Sequence, residues 1–265
     1  MIEPMKKFKK FRQFALLAFA FLLTLGLSSC KKDGGAEAFG EMEISMTDSP
    51  GDFQSLVVEI TQVEAYSSAT GWVVLNSATQ SHDILTLTNG TEVVIASNAE
   101  LEPENYTKIR LTYGSNSYVV VDALGASATF SLTADSQTEI DIETEYDANG
   151  KASITLDFHA GQSVFGNATT GFDFRPVVTE MKNKATGVRG RMEAGVQAYV
   201  EVSGEGRTYD CFSDADGNFM VRGMVAGTYT MDIYPEDSQA NGEMHRVENV
   251  VVVDGEIRQM GTIEF

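Results

Sequence analysis

The side chains able to do chemistry in this chain are few and scattered. The three histidines, His82, His159 and His245, stand far apart. None forms the His-x-x-His or His-Glu-x-x-His spacing that places two imidazoles on one zinc ion. Ser163 lies in Gly161-Gln-Ser-Val-Phe-Gly166, one residue too long for the Gly-x-Ser-x-Gly elbow of a nucleophilic serine. Asp214-Ala-Asp-Gly-Asn218 opens like a calcium loop, yet the twelfth position is Val225 where such a loop needs Glu, and turn chemistry suffices to explain it. Glu139, Asp141, Glu143 and Glu145 alternate, so a strand would set them about 7 Å apart on one face. That stripe suits a divalent ion or a basic partner; we read it as a solvated outer face that discourages edge pairing. No cleft motif marks a pair of carboxylates for glycoside cleavage. The residues therefore predict no enzyme, no metal and no cofactor. Aromatics are the other lead. Trp72, Tyr113 and Tyr118 are candidate ligand-binding residues if exposed, able to stack on a sugar or anchor a partner. If inward, they are core and hairpin packing.

The two cysteines have different settings. Cys30 ends an apolar run, Phe14 to Ser29, behind a basic lead of Lys6, Lys7, Lys9, Lys10 and Arg12. This is the layout of a secretory signal peptide, and the run is short of the ~20 residues that cross a bilayer. Leu27-Ser28-Ser29-Cys30 resembles a bacterial lipobox, which implies lipidation of Cys30 and its exposure as the mature N-terminus. Several acyl chains, at about 0.8 kcal/mol per buried methylene, hold firmly to a membrane. Lys31-Lys32-Asp33 loosely resembles the charged tags of surface-exported lipoproteins. Cys211 has no partner for a disulfide and reads as a small buried strand residue.

Charge narrows the partners. The chain carries a net −19; its first 29 residues contribute +4, leaving −23 for the rest. Such a surface repels nucleic acid and anionic headgroups. The expected partners are the membrane, through the N-terminal lipid, and a glycan or surface protein.

The positioning elements read as strands almost throughout. Residues 31–40 are polar and glycine-containing, a tether between the lipid and the fold. Beyond it come β-branched or alternating runs at 56–63, 72–75, 91–95, 108–113, 117–121, 139–146 and 152–158. Turn formers separate them: Asn89-Gly90, the Gly-Ser-Asn stretch after Tyr113, and Asp147-Ala-Asn-Gly150. A polar, locally basic stretch at 181–187 marks a boundary, and seven shorter strands follow to residue 265. The expected fold is all-β, two antiparallel sandwiches of immunoglobulin-like or prealbumin-like type. The expected boundaries are 1–29 for the leader, 30–40 for the tether, and 41–182 and 186–265 for the two sandwiches.

Two resemblances sharpen this. Ile44-Ser-Met-Thr-Asp-Ser-Pro-Gly-Asp-Phe53 resembles the opening of the bacterial domain of unknown function 4382, where a strand runs into Thr-Asp-x-Pro. Similar segments follow in order: Val57–Val63, Gly71-Trp72, Asp83–Gly90, Asn105–Leu111, Leu156-Asp-Phe158 with Ser163-Val164, and Phe174-Arg-Pro-Val177. His159 stands where the family often has a second acid. The resemblance implies a surface-associated β-sandwich lipoprotein with no assigned chemistry. The C-terminal part, through Ser213–Phe219, Gly223, Ala226–Met231, Asp254-Gly255 and Gly261-Thr-Ile263, resembles a carboxypeptidase regulatory-like domain, which implies a spacer or brace. The expected role is a lipid-anchored, non-enzymatic binding or adhesion module of the cell envelope, at the outer membrane or cell surface. A structural subunit of an outer-membrane assembly and a carboxylate-based surface hydrolase are the alternatives.

Overall fold

The computed structural model describes residues 40–264 except 50–52, 103, 124–125, 133–136, 148, 194–195 and 236–243. The leader, Cys30 and the tether as far as residue 39 lie outside the described residues. Among the described residues no helix is long and apolar enough to cross a membrane.

Strand β1 (Gly40–Ser49) pairs along nine residues with β10 (Lys151–His159). Alternation sends Met42, Ile44 and Met46 of β1, and Ala152, Ile154, Leu156 and Phe158 of β10, into one core. With β5 (Val93–Leu101) and β13 (Val178–Glu180) they form a sheet in the order β13-β10-β1-β5. The facing sheet is built around β2 (Ser55–Ser67), whose Leu56, Val58, Ile60, Val63 and Ala65 are fully buried. A register shift between Ile60 and Gln62 changes the parity, so that Val63 and Ala65 still face inward. Burying each such side chain contributes about 1.5–3 kcal/mol.

Four ribbons make up this second sheet. On one edge of β2 lie β3 (Gly71–Asn76) and β4 (Gln80–Asp83), end to end. On the other lie β6 (Tyr106–Tyr113) and β7 (Tyr118–Ala123), also end to end, because Ile60 pairs with Tyr113 and Val57 with Tyr118. Outside these run β8 (Ala126–Ser131) and β9 (Gln137–Asp141). The Gly-Ser-Asn stretch is thus a bulge in one long strand, and Tyr113 and Tyr118 are not a cross-strand pair. Glu59 organises the bulge. Its carboxylate accepts hydrogen bonds from the amide and side chain of Asn116, its carbonyl from the Gly114 amide, and its own amide donates to the Ser117 hydroxyl. Local turn residues could not reveal that a third strand would capture both halves.

A hairpin of β11 (Val164–Asn167) and β12 (Gly171–Phe174) follows a helical turn at Ala160–Ser163. The C-terminal half has its own buried cluster, led by Phe219, Tyr229, Val200, Val202, Met231 and Ile233. Its sheets are β17-β14-β20 and β16-β15-β18-β19. The strands are β14 (Gly187–Met192), β15 (Ala198–Gly204), β16 (Arg207–Phe212), β17 (Asn218–Arg222), β18 (Gly227–Pro235), β19 (His245–Val252) and β20 (Ile257–Ile263). They are seven in number, as expected. Asp214–Asn218 is a turn, with the Asp214 carboxylate accepting from the amides of Asp216 and Asn218. It joins strands of different sheets and makes no hairpin. The two cores sit within one compact unit, residues 39–265.

Two pairings depart from an antiparallel expectation: β1 with β10, and β14 with β20, run parallel. Parallel partners need a long crossover, so they leave no turn signal in the sequence.

A Cβ on Gly114 would overlap the Glu59 carboxylate, which its hydrogen bonds hold in place. Gly114→Ala should lower stability by about 1–3 kcal/mol in chemical denaturation. Adding Glu59→Ala should make the two effects non-additive, because the clash is then gone.

Candidate interaction surface

The outward face of the β2-centred sheet carries the first candidate. Trp72 on β3 stands opposite Tyr66 on β2, their rings 5.2 Å apart. The Arg110 guanidinium of β6 lies over the Trp72 ring at 3.9 Å. Arg110 is held by Glu64 at 2.8 Å, and Glu64, only 7% exposed, is its cross-strand partner. Cation, ring and carboxylate therefore fix one another. Val74, on the same face beside Glu64, is 45% exposed. Trp72 and Tyr66 are half-buried.

The three aromatics singled out in the sequence do not meet. Tyr113 turns inward, 8% exposed, with its ring against Phe174 at 6.1 Å, and burial pushes its hydroxyl pKa up. It is core, because it pairs with the inward Ile60. Tyr118 pairs with Val57 and Trp72 with Tyr66, nine residues apart along β2, or about 30 Å at the rise of a strand. Sequence reasoning missed Phe165 of the β11–β12 hairpin, 51% exposed beside Phe130 and Phe172, whose rings meet at 5.1 Å. Its one signal was a large apolar residue set against a run of turn formers.

The acidic stripe is broken up. β9 ends at Asp141, so 142–147 is not strand. Glu139 and Asp141 lie 3.3 and 3.7 Å from Lys108, and Glu143 lies 2.6 Å from Lys182. Among the described residues no group of three or more His, Cys, Asp or Glu is arranged to hold a metal ion. Cys211 is buried with its thiol pushed up to about 12 by burial.

A second feature gathers the segments that were distant in sequence. The ends of β1 and β10 bring Thr47-Asp48 beside Asp157-Phe158-His159. Asp83 caps the turn at Ile84–Thr86 and binds Ser55 at 2.8 Å. The Ser163 hydroxyl donates to the His159 carbonyl and accepts from the Val177 amide. Asp48 continues the inward row of Met42, Ile44 and Met46. Both its carboxyl oxygens are shut off from solvent without a hydrogen-bond partner of ordinary geometry, and the Ala160 amide only partly favours the charged form. Burial first, and the charge of Asp157 second, push Asp48 up to about 9, so it is a neutral acid at pH 7. Against the outer side of these strands lies a cleft of about 150 Å³, shared with Thr208–Cys211, Met220 and Arg222 of the C-terminal half.

Comparison with known proteins adds one firm result. The family described as Domain of unknown function (DUF4382) matches residues 39–176, just over half of the chain. The chain belongs to the DUF4382 family. No curated protein matches this DUF4382 chain by sequence. Among solved structures, it aligns with the shaft pilin SpaA from Lactobacillus rhamnosus GG at 8% identity and a TM-score of 0.22, over 84% of this chain and 96% of that one. It aligns with a fimbrial protein from Bacteroides ovatus at 10% identity and a TM-score of 0.25, over 86% and 50% of the two chains. The fimbrial anchor protein from Porphyromonas gingivalis gives 10% identity and a TM-score of 0.21, over 84% and 90%. Likeness at such scores carries no argument about this DUF4382 protein.

Asp48 yields a pH prediction. Its folded pKa lies above the ordinary value of 3.8, so its favourable contribution is complete below about pH 4 and is lost as pH rises through about 9. Thermal unfolding from pH 4 to 10 should show wild type losing more stability than Asp48→Asn. Parallel curves would contradict the assignment.

Proposed function

We propose that this DUF4382 protein is a non-enzymatic surface module, tethered by lipid on Cys30, that docks a partner protein on the Trp72 face. The observation that carries this reading is the stack of Trp72, Arg110 and Glu64. An aromatic ring pre-ordered by a cation, beside exposed Val74, has the composition of an interface hot spot and loses little side-chain freedom on binding. A glycan is the competing ligand. The lipid reading rests on the leader layout and Leu27-Ser-Ser-Cys30. The C-terminal half, with two sheets and its own buried cluster, fits the carboxypeptidase regulatory-like resemblance and would act as a brace.

Pull-down of surface extracts with the full chain should capture a protein partner, and Trp72→Ala should weaken its capture by tenfold or more. Equal capture by the variant, or binding only on a glycan array, would overturn the protein-docking reading. Separately, Cys30→Ser should abolish fatty-acid labelling and move the protein from the membrane to the soluble fraction. Unchanged labelling and retention would remove the anchor.

A further inference from the structure

We infer that the outward face of the β16-β15-β18-β19 sheet is a second docking surface, which takes an extended basic segment of a partner protein over a row of three aromatic rings flanked by unmatched acids. It lies in the C-terminal half, apart from the Trp72 face of the first half. The register sets its rows. Val200 and Val202 of β15 are fully buried, so Tyr199, Glu201 and Ser203, which alternate with them, point outward. Tyr199 pairs with Phe212 of β16 on one side and with Tyr234 of β18 on the other. The Tyr199 ring lies 5.1 Å from that of Phe212 and 6.0 Å from that of Tyr234, so the three form one row across the sheet. Tyr234 is 41% exposed. Two residues along, Glu201 pairs with Asp210 of β16 and with Asp232 of β18, and Asp232 pairs with Arg246 of β19. Thr208, Ser203 and Thr230 make a third row.

Arg246 holds Asp232 with two hydrogen bonds, at 2.7 and 2.8 Å, and neutralises the β18 end of the acidic row. The other end is not matched. Glu201 accepts from the Ser203 hydroxyl. Asp210 interacts with the Tyr199 hydroxyl, Glu201, Asp157 and His159. Arg222, which lines the cleft beside Asp210 at the seam between the two cores, is taken by Glu92 at 2.7 Å. Among the described residues no lysine or arginine pairs with Glu201 or Asp210. Burial pushes Asp210 up, a cost that a cation laid beside it would offset. Rings and acids together select the ligand. Tyrosine and phenylalanine faces attract ammonium and guanidinium groups, and carboxylates do so more strongly when partly shielded from water. The rings are tilted by 52° and 36° to their neighbours, so they do not form one flat platform for a sugar to stack on. A second copy of the chain, at a net −19, is repelled. The aromatic and acidic rows are one same-face step apart, about 7 Å. An extended peptide spans that distance between residues i and i+2. The segment that fits therefore lays an apolar side chain on the rings and, two positions on, an arginine or lysine over Glu201 and Asp210.

The test uses the full chain in neutral detergent micelles and fluorescein-labelled octapeptides, read by anisotropy. Leu-Ser-Arg-Ser written twice puts leucine and arginine on one face of an extended chain. It should bind, and its counterpart with glutamate for arginine should not. Leu-Arg-Ser-Ser written twice sends the two to opposite faces and should bind about fivefold more weakly. Glu201→Gln combined with Asp210→Asn should weaken the first peptide by about tenfold, and Tyr234→Ser by about fivefold. Glu143→Gln combined with Glu145→Gln removes the same charge from the first half and should leave binding unchanged. The inference is overturned if the first peptide fails to bind, if the reordered peptide binds as well, if the two double variants weaken binding equally, or if Tyr234→Ser has no effect. A concentration-dependent dimer in sedimentation that Tyr234→Ser abolishes would place a second copy on the face and overturn it too. Should the Glu201→Gln, Asp210→Asn variant lose its near-ultraviolet dichroism, Tyr234→Ser, at an exposed position, decides alone.

Discussion

The parallel pairing of Gly40–Ser49 with Lys151–His159 is the constraint on which the first half of the molecule rests. It joins strands about a hundred residues apart, so the intervening chain must make its own sheet and return. Because the register is continuous, the two inward rows lie side by side and seal the core against β2. The same register carries Asp48 one step too far along an apolar row. An acid at that position is shut off from solvent, and burial keeps it protonated at neutral pH. The outward positions of the pair, Thr47, Thr155, Asp157 and His159, become the surface against which the C-terminal half lies.

The two sheets of the first half therefore meet different surroundings. The β2-centred sheet turns a rigid face outward, where Glu64 and Arg110 hold Trp72 in place instead of leaving the ring free. The other sheet is occupied by the seam. Across that seam the Arg222 guanidinium meets the Glu92 carboxylate at 2.7 Å.

Much of the fold was legible. The C-terminal part carries the seven strands expected of it, with Phe219, Val221 and Tyr229 in its core. The Thr47-Asp48 and Leu156-Asp-Phe158 segments were singled out by resemblance, although nothing in their order along the chain said they would touch. What failed did so for a shared reason. The Gly-Ser-Asn stretch after Tyr113 was read as a hairpin turn because turn residues report only a local change of direction. Whether the next strand folds back or runs on past a bulge is decided by the partner strand, here β2 through Glu59. The acidic alternation at 139–146 likewise promised one strand, yet pairing with β6 ends at Asp141.

By itself the sequence determined the all-β class, the strongly acidic charge balance and which residues prefer a core. These follow from composition, periodicity and short motifs, which act over a few residues. Only the tertiary structure decided that Tyr113 is buried while Trp72 is presented, that Asp48 sits among methionines, and that Arg222 reaches Glu92 across 130 residues. Those outcomes depend on strand register and on which sheet faces outward, and both are settled by contacts between segments that carry no mark of one another.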